Sequence, residues 1–140
     1  MPAAKPKLTP RGKDLIKNPD NLPLGDLLSW PWLESRHPDI LQIPVCPATP
    51  DHRWTRAATI ARFENGAFHP RTRIVYFPSR KKYPNQRDIL ISLCHEICHL
   101  IQVKDGRWAG DDLHHATPGY RNNPLEKQAK AFAKRWTSTT

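Results

Sequence analysis

The stretch that decides the fold reads Leu93-Cys94-His95-Glu96-Ile97-Cys98-His99-Leu100-Ile101-Gln102-Val103. Its apolar residues belong to a series that recurs at three- and four-residue spacing: Ile89, Leu90, Leu93, Ile97, Leu100 and Ile101. This periodicity predicts an amphipathic helix over residues 87–103. Lys104-Asp105-Gly106 follows, and glycine suits the left-handed residue that comes after a helix end.

Two histidines and a glutamate form a His-Glu-x-x-His motif inside this predicted helix. At 3.6 residues per turn, His95 and His99 are about 40° apart around the axis and one turn apart along it. Both imidazoles can therefore reach one tetrahedral metal ion such as Zn2+. Glu96 then flanks the open coordination position, where it can take a proton from bound water.

A partly exposed helix could carry the same residues without any metal. From the residue frequencies of this chain, a chance match has a probability on the order of one in a hundred. The apolar neighbours Leu93, Ile97 and Leu100 would also bury the polar triplet, and buried polar groups require partners. The metal-site interpretation is therefore favoured.

The third ligand is open on the residues alone. A catalytic zinc site typically has three protein ligands plus water, and the downstream candidates are His114, His115 and Glu126. Glu126 also has a structural alternative, because Asn123-x-x-Glu126 is a capping-box arrangement in which the carboxylate would satisfy the backbone at a helix start.

The motif and a later segment together resemble the gluzincin pattern of small bacterial and phage metallopeptidases, such as the ImmA/IrrE-like group. After the stretch quoted above come Tyr120 and then Pro124-Leu125-Glu126-Lys127-Gln128-Ala129-Lys130-Ala131-Phe132-Ala133. The resemblance, which covers residues 88–136, implies that Glu126 is the third zinc ligand. Ala129 and Ala133 share its helix face and are small enough to let two helices approach closely.

A second resemblance is to SprT-like, DNA-associated metallopeptidases, in which a third histidine follows the motif in a short loop. Residues 112–120 are similar to that loop, and the basic charge of the chain suits it. Where that pattern has His-Gly, this sequence has His114-His115. This alternative implies that one of those histidines completes the site.

We expect a zinc metalloendopeptidase in which Glu96 removes a proton from the attacking water and then protonates the leaving amine of a protein or peptide substrate. A further donor must stabilise the oxyanion, and the candidates are Tyr120, His114, His115 and Arg121. The strand near residues 71–76 could bind an extended peptide as an added strand. The candidate contacts for an acidic substrate or polyanion are Arg71, Arg73 and Arg121.

The expected fold is α+β and zincin-like, with a small, mostly antiparallel sheet packed on the motif helix and on a second, C-terminal helix. Asn65-Gly66 suits a tight hairpin turn and predicts pairing of residues 56–63 with residues 71–77. Asn123 as N-cap and Pro124 at the first helical position predict a last helix that runs to about residue 136.

We expect three parts in the chain. Residues 1–22 combine proline and lysine with few apolar residues, which is typical of a basic arm. Residues 23–50 form a wrapping segment with a short helix near residues 24–35, and residues 51–140 form the zincin-like domain. Ten of the 15 prolines lie in the first fifty residues, so we expect the core mostly downstream of residue 50.

The charge and composition of the chain indicate which classes of partner it can bind. The formal net charge is +9, which suits nucleic acid or an acidic partner, partly through the arm, although solvated basic faces explain it equally well. The absence of a long apolar run or a secretory signal, together with only three cysteines, predicts a cytoplasmic protein without a membrane partner. Cys94 and Cys98 fit small core residues better than metal ligands.

A function of another class fits the same residues. A zincin-like fold, with or without metal, could serve as a noncatalytic module of a large assembly such as a virus particle. The protein would then be virion-associated, and peptidase activity would be lost or incidental.

Overall fold

A computed structural model describes residues 4–14, 21–47, 57–76, 86–107 and 123–138. These residues contain five α-helices: α1 (Pro10–Asp14), α2 (Leu24–Leu27), α3 (Pro31–Arg36), α4 (Gln86–Lys104) and α5 (Pro124–Thr137). A 3₁₀ turn covers Ile40–Gln42. The strands are β1 (Lys7–Leu8), β2 (Leu22–Pro23), β3 (Leu28–Ser29), β4 (Pro44–Pro47), β5 (Ala57–Ile60), β6 (Phe63–Glu64), β7 (Ala67–Phe68) and β8 (Arg73–Tyr76). The fold is mixed α+β with small sheets, as expected.

The main sheet has four strands in the order β2-β4-β8-β5. The outer pairs, β2 with β4 and β5 with β8, are antiparallel, whereas β4 and β8 are parallel. Strand β8 thus forms hydrogen bonds along both of its edges. The expectation that residues 71–76 add a peptide as a new strand is therefore wrong, because β4 and β5 already occupy the edges of β8.

The predicted hairpin is confirmed. Asn65 and Gly66 have φ angles of 55° and 78°, which suit a tight turn between β6 and β7. Beyond that small ladder, β5 pairs with β8 in a register that runs from Ala57↔Tyr76 to Ile60↔Arg73. The hairpin therefore brings β5, which is an edge strand of the main sheet among the described residues, alongside β8.

The predicted positions of helices α4 and α5 are confirmed. Gly106 has a φ of 74° after the end of α4, and the Asn123 side chain accepts a hydrogen bond of 2.8 Å from the Leu125 N–H at the start of α5. None of the helices in the described ranges is long and apolar enough to cross a membrane.

The helix predicted near residues 24–35 is divided in two. Helix α2 ends before Leu28, which has extended φ and ψ angles of −127° and 142°, and α3 begins at Pro31. Proline disfavours a helical conformation of the residue before it. Trp30 accordingly has an extended backbone, and the chain turns between two short helices.

Among the described residues, the core draws equally on the parts of the chain before and after residue 50, so the expectation that it lies mostly downstream of residue 50 is wrong for them. Eight of the sixteen residues of the main buried cluster precede residue 50: Leu24, Leu27, Leu28, Trp30, Leu33, Ile40, Ile43 and Val45. Prolines break this segment into short elements, but each of α2, α3, the 3₁₀ turn and β4 still buries apolar side chains.

An aromatic cluster ties the end of α5 to α3. The ring of Trp30, which is 1% exposed, lies 5.3 Å from the ring of Trp32 and 4.9 Å from that of Trp136. Phe132 adds a fourth ring, 5.9 Å from Trp30. Because aromatic side chains bury large apolar areas, this cluster fixes α5 on the domain.

The described part of the arm contacts the domain. Strand β1 pairs antiparallel with β3, and the Thr9 N–H donates to the Leu27 carbonyl at 3.0 Å. Lys5 Nζ donates to the carbonyl of Ser138 beyond α5. The division of the chain into an arm, a wrapping segment and a zincin-like domain stays a prediction.

Gly12 gives a test of this contact. A Cβ atom at Gly12 would lie 2.3 Å from the backbone oxygen of Leu27, so Gly12→Ala forces the arm away from α2. We expect a loss of about 1–3 kcal/mol in the free energy of unfolding, measured by chemical denaturation. The exposed neighbour Lys13 is the control: Lys13→Ala should change stability by less than about 0.5 kcal/mol. Equal stability of the two variants would contradict the packing of residues 4–14.

Candidate metal centre

Helix α4 places two imidazoles side by side. The rings of His95 and His99 are 4.8 Å apart between centroids, and their Nε2 atoms are 3.2 Å apart. The two side chains differ in exposure, at 18% for His95 and 4% for His99. His95 therefore lies on the solvent side of the pair.

Glu126, in the first turn of α5, reaches both imidazoles. Its Oε1 lies 2.8 Å from His95 Nε2 and its Oε2 lies 3.0 Å from His99 Nε2. Ala129 and Ala133, on the same face of α5, are 0% and 1% exposed, so nothing bulky separates the two helices. The side chain of Asn123 caps α5, and the Glu126 carboxylate faces α4 instead of serving in a capping box.

A hydrogen-bond network fixes the tautomer of His99. The amide nitrogen of Gln102 donates to the Leu125 carbonyl at 2.9 Å and to Gln128 Oε1 at 2.8 Å. The amide oxygen of Gln102 consequently faces His99 Nδ1, at 2.8 Å, and Nδ1 must be the donor. The Nε2 atom of a neutral His99 then carries a lone pair that points at Glu126 and His95.

This arrangement fits a metal ion. The ligand atoms of His95, His99 and Glu126 all lie within 4.8 Å of one another, and the three residues could hold a metal ion. Ligands bound tetrahedrally at about 2.0–2.1 Å are roughly 3.3–3.4 Å apart, close to the 3.2 Å between the two Nε2 atoms. A shared cation, either a proton or a metal ion, also removes the repulsion between the converging lone pairs.

The same contacts shift the pKa values of the group. Burial alone would lower the pKa of His99, but the hydrogen bond and charge of Glu126, with Glu96 and Gln102, outweigh it and raise that pKa. Burial would raise the pKa of Glu126, yet its hydrogen bonds to His95 and His99 hold it well below its usual range. Glu126 is therefore an anion, which is the state that binds a metal ion.

Glu96 lies beside the group and is tied to the sheet. Its side chain is buried, and the Thr59 hydroxyl of β5 donates to Glu96 Oε2 at 3.2 Å. Burial raises the pKa of Glu96 to about 7, assisted by the charge of Glu126 and opposed by His95, His99 and the Thr59 hydrogen bond. A carboxyl group in this range can both accept and return a proton near neutral pH.

Sequence reasoning missed two residues that support the site, Gln102 and Thr59. Gln102 carried a local signal, since it lies three residues after His99 and so shares its helix face. Thr59 carried none, because it lies 37 residues before Glu96 in the chain and reaches it only through the packing of β5 against α4.

The other residues singled out in the sequence do not belong to the metal-binding group of His95, His99 and Glu126 or lie outside the described residues. Cys94 and Cys98 are buried, as expected for small core residues, and burial raises the pKa of each thiol to about 12. Arg71 and Arg73 are not members of the metal-binding group; Arg73 donates to the Arg71 carbonyl at 3.0 Å. Outside the described residues lie His114, His115, Tyr120 and Arg121, whose roles stay predictions.

Comparisons with known proteins identify no relative. No protein-family model matches the chain, and no curated protein sequence or solved structure matches it. The gluzincin and SprT-like resemblances therefore depend on the motif residues alone, and the metal-binding geometry has to be judged by its own chemistry.

The third ligand can be tested by zinc titration of metal-depleted protein. We expect wild type to bind one zinc ion per chain and to melt at a higher temperature with zinc, because the ion binds only the folded site. Glu126→Ala should weaken the affinity by at least about tenfold through loss of an anionic ligand. Glu64→Ala, which removes an exposed glutamate, is the control. Zinc kept by Glu126→Ala but lost by His114→Ala/His115→Ala would make one of those histidines the third ligand instead.

Gln102 gives a second prediction. Gln102→Met keeps the size of the side chain but removes the acceptor that orients His99, so zinc affinity should fall by about 10- to 100-fold. Gln128→Ala removes the acceptor shared by Gln102 and Arg107 but leaves the contact between Gln102 and His99 in place, so it should change zinc affinity far less. Calorimetric titration measures both, and equal affinities for wild type and Gln102→Met would show that the hydrogen bond does not orient His99.

Proposed function

We propose that this protein is a zinc-dependent metallopeptidase with a zincin-like fold of the gluzincin type. The observation that carries the proposal is the convergence of Glu126 on the two motif histidines, with buried Glu96 beside them. A helix carrying the motif by chance would not require an acidic residue, 27 positions from His99, to be buried against both imidazoles.

The donor set favours zinc. Two imidazoles and one carboxylate are a ligand set of catalytic zinc sites, which leave one coordination position open. Zinc held there would supply Lewis acidity and lower the pKa of a water molecule towards neutrality. Glu126 supports the gluzincin interpretation over the SprT-like one, because its carboxylate lies within the group of ligand atoms that could hold a metal ion.

Side chains of the protein carry out the other steps of the proposed reaction. His99 and Glu126 are buried, so His95 with its 18% exposure marks the side from which a substrate can approach. Glu96 accepts the proton of the attacking water and returns it to the leaving amine nitrogen. The Thr59 hydroxyl holds the Glu96 carboxylate in position for both transfers.

The edge strand next to Glu96 suits a peptide. Strand β5 pairs with β8 and, within the ranges the structure describes, with no other strand. An extended peptide can add to such an edge through main-chain hydrogen bonds. Since Thr59 of β5 contacts Glu96, a peptide bound there would run past the catalytic group.

The enzyme proposal is tested with Glu96→Gln, which keeps the shape of the side chain and removes the base. We expect unchanged zinc stoichiometry and a loss of about 10²–10⁴-fold in peptide cleavage, followed by mass spectrometry on a random peptide library. Glu34→Gln, which replaces an exposed glutamate of α3, is the matched control and should retain full activity. Stoichiometric zinc with no cleavage of any library by wild type would instead support the noncatalytic zincin-like module.

A further inference from the structure

A basic pocket opens where the hairpin leaves the main sheet. Its volume is about 250 Å³, and its lining residues are Ile60, Ala61, Arg62, His69, Arg71 and Thr72. Ile60 ends β5 and the next two residues follow it directly, whereas His69, Arg71 and Thr72 precede β8. The pocket therefore lies at the end of the edge strand whose Thr59 contacts Glu96.

The polar lining offers hydrogen-bond donors and positive charge. His69 Nδ1 accepts a hydrogen bond of 3.1 Å from the Arg71 N–H, so Nε2 of His69 carries a proton even when the ring is neutral. Arg62 and Arg71 supply two exposed guanidinium groups, which suit oxyanions. Among the residues that the structure describes, no acidic side chain lines the pocket.

Glu64 forms an exposed ion pair with Arg62 at this pocket. Glu64 lies 3.8 Å from Arg62, and the two side chains are 61% and 55% exposed. Ion pairs as exposed as this contribute little and exchange readily with other partners. Arg71 adds a second guanidinium group to the lining, so Glu64 does not cancel the positive charge of the described lining residues.

We propose that this pocket binds a negatively charged side chain of the substrate, a carboxylate or a phosphate, two or three residues from the bond that is cleaved. The proposal rests on the peptidase function proposed above. Arg62 follows Thr59 by three residues, which spans at most roughly 10 Å of extended chain. A peptide added to β5 with its scissile bond beside Glu96 would place a nearby side chain at the pocket.

The size of the pocket favours a single side chain over a polyanion. At about 250 Å³ it is smaller than the sites that enclose drug-sized ligands, roughly 300–1,000 Å³. A nucleic acid instead contacts a row of basic groups along its backbone. Recognition of one acidic residue also gives Arg71 a defined role in substrate binding.

The test uses the full chain, loaded with zinc and carrying Glu96→Gln, so that peptides bind without being cleaved. The probes are three fluorescent decapeptide mixtures that are identical except for one fixed residue, which is glutamate, phosphoserine or glutamine. Fluorescence anisotropy should show that an anionic mixture binds about tenfold or more tightly than the glutamine mixture. The stronger of the two anionic mixtures identifies the charged group, and equal binding of all three overturns the proposal.

Charge-matched variants separate the pocket from the overall charge. Adding Arg62→Gln/Arg71→Gln should abolish the preference for the anionic mixtures. Lys130→Gln/Lys134→Gln removes two exposed charges from α5 and should preserve it. If both double variants lose the preference for the anionic mixtures equally, long-range attraction explains the preference and the pocket proposal is overturned. The proposal is also overturned if the pocket variant binds single-stranded DNA more weakly but binds the anionic peptides as tightly as before.

Two further measurements keep the test decisive. If the pocket variant melts before binding can be measured, sulfate is used as a competing oxyanion on the protein with Arg62 and Arg71 intact, at constant ionic strength. If sulfate leaves the preference for the anionic mixtures unchanged, the proposal is overturned. Cleavage by wild type is measured on the same mixtures. Cleavage without preference for acidic residues refutes the pocket alone, whereas a binding preference without any cleavage refutes the peptidase and retains the anion site.

Discussion

The rest of the structure depends on the contact of one carboxylate with two imidazoles. Glu126 is 2% exposed and lies 2.8 Å from His95 and 3.0 Å from His99. A buried charge is costly unless it is paired and hydrogen-bonded. The two helices that carry these three residues, α4 and α5, must therefore keep their relative position, and other contacts of the fold stabilise that position.

Several weaker interactions hold the two helices at this distance. Small residues on α5 let it approach α4, and Gln102 hydrogen-bonds across the interface while orienting His99. Asn123 fixes the start of α5 next to Glu126. At the other end the tryptophan cluster anchors α5 to α3, so the N-terminal half of the chain also supports the site.

The main sheet supports the candidate site through its edge strand β5. Strand β5 pairs with β8 on one side and reaches Glu96 through Thr59. The next residue, Ile60, begins the lining of the basic pocket. Strand β5 thus contacts the candidate base and ends at the basic pocket, which connects the proposed chemistry to the proposed selection of substrates.

The sequence by itself determined the local features, because periodicity, capping and turn chemistry act over a few residues. It predicted α4, the Asn123 cap and the Asn65-Gly66 turn, and it placed His95 and His99 on one helix face. Whether Glu126 or a loop histidine joined them was open, and the role of Thr59 was not foreseen. The location of the core and the paired edges of β8 were misjudged. Tertiary structure decided the contact of Glu126 with both imidazoles, the role of Thr59 beside Glu96, the location of the described core and the pairing of β8, since contacts between residues far apart in the chain depend on how the elements pack.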